Sequence, residues 1–280
     1  SCCMNPYIAL TRPGNMVLTA IAVVAGAFIA AGTDISNFQI QILICCLCSM
    51  MLVGGGNALN DYNDRKTDKE NHPKRPIPSG SVSPDSAYMY AQALLGLGLL
   101  ILLLTLENKM PFVIALIGVI LLIAYENGLK AAGITGNVVV GLMSGAVFLF
   151  AGMAVNEPGP TLWMFGLAVL ATITREIVKD IQDLEGDTDR RTLPSRIGIE
   201  SSLNLSILIL LIAIGLSYTA MNQFEEMAWN AYVGGITLAN GTMLFGIYNA
   251  KQEDYFMGQK NIKQGMGIAM LSFIAAAGLS

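Results

Sequence analysis

Two short runs of this 280-residue chain concentrate the side chains that could do chemistry. The first reads Asn57-Ala-Leu-Asn60-Asp61-Tyr-Asn63-Asp64-Arg-Lys-Thr-Asp68, the second Arg175-Glu176-Ile-Val-Lys179-Asp180-Ile-Gln-Asp183-Leu-Glu-Gly-Asp187. If both runs are helical, Asn60, Asp64 and Asp68 recur at i, i+4, i+8 and Asp180, Asp183 and Asp187 at i, i+3, i+7, each set on one face. Carboxylates aligned in this way repel one another. One such cluster could be a solvated helix end. Two matching clusters call for a shared counter-charge, and hard cations such as Mg²⁺ bind carboxylate oxygens and bridge to substrate phosphates. Asn60, Asp64, Asp68, Asp180, Asp183 and Asp187 are therefore the expected metal ligands, two acidic walls that would hold two Mg²⁺ ions about a diphosphate.

The two runs also match each other. Asp64 and Asp68 recur 119 residues later as Asp183 and Asp187, and Lys74-Arg75-Pro-Ile-Pro-Ser79 recurs 116 residues later as Arg190-Arg191-Thr-Leu-Pro-Ser195. An internal repeat with one short gap accounts for both matches. The chain is read as a single domain, 1–280, with pseudo-repeat halves 1–130 and 131–280. Cations stand near the acids: Arg12 with Asn15, Lys74 and Arg75 in a Pro-studded loop, Tyr125 with Lys130, and Lys179. Any of these could hold diphosphate oxygens, Arg through its planar fork and Lys as a point charge. Snorkelling to lipid headgroups is an equally good reading of Lys130 taken alone. The loop over 61–86 is longer than an ordinary connection, as functional lids and disordered segments are.

The elements that must carry these residues are membrane helices. Hydrophobic residues make up 54% of the chain and charged ones 13%, about half the charge of a soluble domain. The net charge of −4 excludes a basic nucleic-acid binder. Apolar runs long enough to span a bilayer lie at 15–32, 38–60, 87–106, 111–127, 136–155, 161–180, 202–221, 228–250 and 262–280. The expected fold is thus an all-α, polytopic bundle of nine transmembrane helices with a weak internal repeat. Nine spans put fifteen of the sixteen Lys and Arg residues on one side, Lys109 alone falling opposite. The positive-inside rule makes that side cytoplasmic, with the N-terminus and the acidic runs inside and the C-terminus outside. Cys2 and Cys3 stand in a Ser-Cys-Cys stub that is set aside, and Cys45, Cys46 and Cys48 read as packing residues in an apolar run. His72, the single histidine, cannot anchor a multi-histidine metal site.

At these residues the sequence resembles the UbiA superfamily of intramembrane prenyltransferases. That family's N-D-x-x-D-x-x-x-D motif matches Asn60-Asp61-x-x-Asp64-x-x-x-Asp68, and its P-x-R-P-x-P-S-G run matches Pro73 to Gly80. Its second acidic motif matches Asp180, Asp183 and Asp187, its Y-x-x-x-x-K segment Tyr125 to Lys130, and its R-P-x-N Arg12 to Asn15. The resemblance implies Asp64, Asp68, Asp183, Asp187 and Lys130 as catalytic groups, with Arg12, Asn15, Lys74, Arg75, Tyr125, Lys130 and Lys179 around the substrate. The Asp180-Ile-Gln-Asp183-Leu-Glu-Gly-Asp187 wording is most similar to the archaeal lipid branch. That branch implies geranylgeranyl diphosphate as donor, geranylgeranylglyceryl phosphate as acceptor, and the second ether bond of an archaeal membrane lipid as product. An aromatic acceptor such as 4-hydroxybenzoate is the alternative within the superfamily. A transporter is the alternative outside it, since transporters too carry intramembrane acids and repeats.

Overall fold

The computed structural model describes residues 4–184 and 192–280. Among them the chain is all-helical. Seven of the described elements are short: α1 (Pro6–Thr11), α4 (Asp68–Asn71), α9 (Leu193–Ile197) and the 3-10 turns Gly32–Phe38, Leu129–Ala131, Ala220–Gln223 and Glu226–Ala228. The long helices are α2 (Pro13–Ala31), α3 (Gln39–Asn63), α5 (Pro84–Thr105), α6 (Met110–Glu126), α7 (Ile134–Ala154), α8 (Gly159–Gln182), α10 (Ile199–Thr219), α11 (Trp229–Lys251) and α12 (Tyr255–Leu279). Proline in the first turn opens α2, α5, α6 and α8, where its missing N–H is not needed. Ser83 caps α5 by accepting from the Ser86 amide at 3.2 Å, and Asp254 caps α12 by accepting from the Met257 amide at 3.0 Å.

Among the described residues, six stretches are long and apolar enough to cross a membrane. They are Pro13–Asn63, which contains the α2–α3 hairpin, Pro84–Thr105, Ile134–Ala154, Gly159–Gln182, Ile199–Gln223 and Tyr255–Leu279. α6 is a shorter apolar helix, and α11 is not one of the six. The polar residues of α11 lower its hydropathy because they work inside the bundle: buried Asn240 donates to Ser217 Oγ of α10 at 3.0 Å, and the buried Tyr232 hydroxyl donates to the Ser217 carbonyl at 2.7 Å. Large apolar side chains face outward along the bundle, including Ile40, Leu104, Ile117, Leu238 and Leu271. So much exposed hydrocarbon fits a lipid surround rather than water.

Two apolar cores organise the helices. One gathers α8, α10, α11 and α12 around Ile177, Leu210, Ile236 and Phe273, and the other joins α2, α3, α5, α6 and α7 around Val23, Cys45, Leu102 and Phe150. A third cluster packs the 61–86 connection onto α1, α3 and α5 through buried Ile77 and Val82. That connection is therefore a fitted cap over the helix ends. Its first stretch differs from a continued helix: α3 ends at Asn63, a turn covers 64–67, and Asp68 opens α4. Asp68 thus leaves the single face expected for Asn60, Asp64 and Asp68, although its amide still bonds to the Asp64 carbonyl at 2.8 Å.

Without a hydrophobic force between helices in lipid, close approach of small residues sets the packing. At Gly265 of α12 an added Cβ would lie 2.8 Å from the Ala239 carbonyl oxygen of α11 and would also overlap the Met243 side chain. Gly241, on the same α11, has nothing within 4 Å of such a Cβ. Gly265→Val should destabilise the bundle by about 1–3 kcal/mol, the usual cost of overpacking, and Gly241→Ala should not. Thermal unfolding of the purified protein in detergent measures both, and an unchanged midpoint for Gly265→Val would show that α11 and α12 do not meet there.

Candidate active site

Asp64 and Asp183 occupy corresponding places, each the C-cap of its helix, α3 and α8. A carboxylate at a helix C-terminus faces the negative end of the dipole and needs a cation. Around Asp64 that cation is Lys130, whose ammonium donates to both carboxylate oxygens at 2.8 and 2.7 Å. Lys130 reaches it from the 3-10 turn Leu129–Ala131, which positive-φ Gly128 and Gly133 bracket. Glu126, at the end of α6, lies 3.9 Å from the same ammonium and accepts from Asn60 Nδ2 at 2.9 Å and Asn63 Nδ2 at 3.4 Å. Asn60 Nδ2 also reaches Asp64 at 3.2 Å. Asn60, Asp64, Glu126 and Lys130 form one network.

A second network lies beside it. Arg12 forms an ion pair with buried Asp61 and also donates to Asn60 Oδ1 at 3.5 Å. Arg75, from the cap, donates to buried Asp68 at 2.6 Å and lies 3.6 Å from Asp61. Arg12 has φ +51°, in the left-handed region, at the break between α1 and α2. Asn57 of α3 supports that break by donating to the Thr11 carbonyl at 2.9 Å.

On the other wall, α8 holds Glu176 between Arg175, which donates to it at 2.7 Å, and Lys179, at 3.3 Å. Asp180 accepts from Asn137 of α7 at 3.0 Å. Between the walls runs a chamber of about 830 Å³. Its mouth carries Arg12, Asn15, Asn57, Asn60, Tyr125, Glu126, Arg175, Glu176 and Lys179, and its depth is lined by apolar residues such as Leu52, Leu95, Ile114, Val119, Val147 and Phe150. A charged rim over an apolar interior suits an amphiphile with an anionic head and a long hydrocarbon tail.

Of the sequence-derived residues, the structure places Arg12, Asn15, Asn60, Tyr125 and Lys179 on this chamber, and Asp64, Asp68, Arg75 and Lys130 in the networks at its mouth. Asp180 and Asp183 stand at the end of α8. Lys74 is exposed and has no ion pair among the described residues, because the cap turns Arg75 inward instead. Asp187 lies outside the described residues. Among those described, no three of His, Cys, Asp and Glu converge as a ready ligand set. The acids are instead spread over ion pairs with Arg12, Arg75 and Lys130. Their all-oxygen donor chemistry fits a hard divalent cation, which would take over counter-charge now supplied by these side chains. Sequence reasoning undervalued Asp61, Asn57, Arg175 and Glu176. The signal for the last two was present, since an adjacent Arg-Glu pair inside an apolar run is expensive unless it is used.

The UbiA prenyltransferase family model matches residues 19–272. A relative from Methanothrix thermoacetophila, called digeranylgeranylglyceryl phosphate synthase, is 35% identical over 269 residues, covering 95% of this chain and 97% of its own. A solved structure described as digeranylgeranylglyceryl phosphate synthase in membranes aligns with a TM-score of 0.83 at 28% identity, covering 98% of each chain. At the level of fold alone, a UbiA homologue from Archaeoglobus fulgidus, solved with GPP and Mg²⁺ bound, aligns with a TM-score of 0.69 at 17% identity, covering 94% of this chain and 99% of its own. The transporter reading gives way to these matches and to acids that sit at helix ends rather than at mid-span. The charged-rimmed apolar chamber is that of an integral membrane prenyltransferase, and the chain belongs to the UbiA prenyltransferase family.

Proposed function

We propose that this enzyme transfers a geranylgeranyl group from geranylgeranyl diphosphate to geranylgeranylglyceryl phosphate. The observation that carries the reading is the chamber itself, apolar in its depth with cations from both walls at its mouth. The names of the relatives point to the same product. Asp64, Asp68, Asp180, Asp183 and Asn60 would hold divalent metal, as two Mg²⁺ ions, with Asp187 completing the second motif. Bound there, Mg²⁺ supplies Lewis-acid neutralisation of the leaving diphosphate. Lys130 and Arg75, released from Asp64 and Asp68, bind diphosphate oxygens, and Arg12, Asn15 and Tyr125 orient the head at the rim.

The allylic C–O bond breaks with its electron pair leaving on the diphosphate. The acceptor hydroxyl oxygen then bonds to the allylic carbon. Its proton passes to Glu126 or to a diphosphate oxygen. The apolar depth of the chamber excludes water that would otherwise capture the allylic centre, and holding both substrates there supplies much of the rate. We place the chain in the membrane as nine spans in two pseudo-repeat halves, 1–130 and 131–280, with the N-terminus and the chamber mouth cytoplasmic and the C-terminus outside.

Four measurements test this reading. Purified protein given geranylgeranyl diphosphate and Mg²⁺ should prenylate geranylgeranylglyceryl phosphate; efficient prenylation of 4-hydroxybenzoate with none of the glycerol phosphate would exclude the lipid acceptor. Asp64→Asn or Asp183→Asn should each remove nearly all turnover. The Asp64→Asn protein should stay folded, because that side chain is one-quarter exposed and Lys130 keeps Glu126 nearby. Chelation should abolish activity and Mg²⁺ restore it, whereas full turnover in excess EDTA would defeat the metal assignment. For orientation, single cysteines at exposed Glu157 and Ser83 in a cysteine-free background report the two faces. The first should react with an impermeant thiol reagent on intact cells and the second should not; the reverse pattern would invert the topology.

A further inference from the structure

One face of α6 follows the chamber from its mouth into its depth. Tyr125 and Glu126 stand at the rim, and Leu122, Val119, Gly118 and Ile114 continue the lining inward. Ile114, Gly118, Leu122 and Glu126 recur every four residues, so they form one stripe along the helix. Leu116, Ile117 and Ile120, which lie between them in sequence, are exposed on the outer surface. Gly118 is therefore a gap in the wall of the chamber, set between two bulky residues, Leu122 above it and Ile114 below.

The gap is open space. A Cβ added at Gly118 would have no neighbour within 4 Å. Gly56 of α3, which also lines the chamber, differs: its Cβ would come 3.2 Å from Leu122 Cδ2, so that glycine serves the approach of α3 to α6. No packing partner asks for glycine at 118, and alanine is the better helix former there; what the glycine supplies is room. Its depth gives that room a meaning. Gly118 lies eight residues before Glu126, about 12 Å along the helix from the rim. At ordinary carbon–carbon bond lengths, two isoprenyl units extend about 10 Å. A tail whose diphosphate is held at the mouth thus passes Gly118 with its third and fourth units. Glu126 joins the network of Asn60 and Lys130, so a tail descending from a diphosphate bound there has the α6 stripe alongside it.

We propose that Gly118 is a specificity-determining residue, the position at which a missing side chain admits the third and fourth isoprenyl units of the prenyl donor. This deepens the functional reading above and rests on its assignment of geranylgeranyl diphosphate. Hydrocarbon bedded between Leu122 and Ile114 leaves water or lipid and gains close contact with the wall. A side chain at 118 would fill that bed and obstruct the distal half of a long tail. The proximal half lies nearer the mouth and stays clear, so a donor of two units keeps its place.

The test is a donor series, geranyl, farnesyl and geranylgeranyl diphosphate, measured by equilibrium binding with Mg²⁺ and no acceptor, then by two-substrate kinetics. Wild type is compared with Gly118→Ala, Gly118→Leu and Gly96→Leu in detergent. The Gly118 variants should keep the wild-type thermal midpoint, because nothing is packed against the position. Gly118→Leu should lower affinity and kcat/KM for geranylgeranyl diphosphate about tenfold or more, leave those for geranyl diphosphate within about twofold, and place farnesyl diphosphate between. Gly118→Ala should shift the series in the same direction by less. Gly96, an exposed residue of α5 with equally open surroundings, lies away from the chamber, and Gly96→Leu should leave the series unchanged. A Gly118→Leu protein that keeps the wild-type order, weakens all three donors equally, or raises only the acceptor KM would overturn the assignment of Gly118 while leaving the donor assignment intact. Wild-type protein that gains nothing from geranyl to geranylgeranyl diphosphate would overturn both. Binding is read apart from turnover, so the expected shift in a protein that transfers only to an aromatic acceptor would refute that acceptor and uphold the role of Gly118.

Discussion

Acidic side chains at the C-terminal ends of two helices are electrostatically misplaced, and the architecture around the chamber follows from correcting that. A helix end already carries partial negative charge, and α3 and α8 add Asp64 and Asp183 as C-caps, with Asp61 and Asp180 one turn earlier. No single element can supply the missing positive charge. Arg12 comes from the α1–α2 break, Arg75 from the 61–86 cap and Lys130 from the turn after α6. Three segments distant in sequence are thereby tied to one helix end. The same contacts that fix these loops supply the counter-charge of the carboxylates. A metal-bound diphosphate exchanges one set of counter-charges for another.

The backbone at Arg12 carries part of the cost. A non-glycine residue at φ +51° is uncommon, and the residue before a proline is normally extended, yet Arg12 precedes Pro13 with ψ 74°. Strain of this sort persists when the surroundings over-determine it. Here the guanidinium is held by Asp61 and the adjacent Thr11 carbonyl by Asn57, both from α3. A continuous helix over 6–31 would satisfy the local backbone better, but would not deliver the guanidinium to the end of α3 in this way. The side chain at the rim is positioned by a conformation that its own sequence disfavours.

How much of this was legible in the sequence depends on the range of the interaction. Each apolar run meets a long helix, because lipid demands about the same length of apolar helix wherever the chain crosses, although α12 begins at Tyr255, seven residues before its run. Its first two turns carry Gln259, Lys260 and Asn261, which masked the apolar signal. The helical face that was to unite Asn60, Asp64 and Asp68 was misjudged at Asp68, where the turn at 64–67 intervenes. Spacing gave the identity of the acids; it could not give their partners. The pairs Arg12–Asp61 and Lys130–Asp64 span 49 and 66 residues, and nothing local to either partner encodes the other.

The same distinction explains why the α8 wall was undervalued. Arg175, Glu176 and Lys179 form their ion pairs within one helix turn, and that spacing alone says nothing of what the patch faces. Only the fold shows that the patch faces a chamber shared with α2, α3, α6 and α7. At the mouth of an apolar cavity these charges act over a low dielectric and matter more than the same patch would in water. Asp180 and Asp183 end the same helix, so the α8 wall, like the α3 wall, sets carboxylates and cations side by side at the chamber mouth.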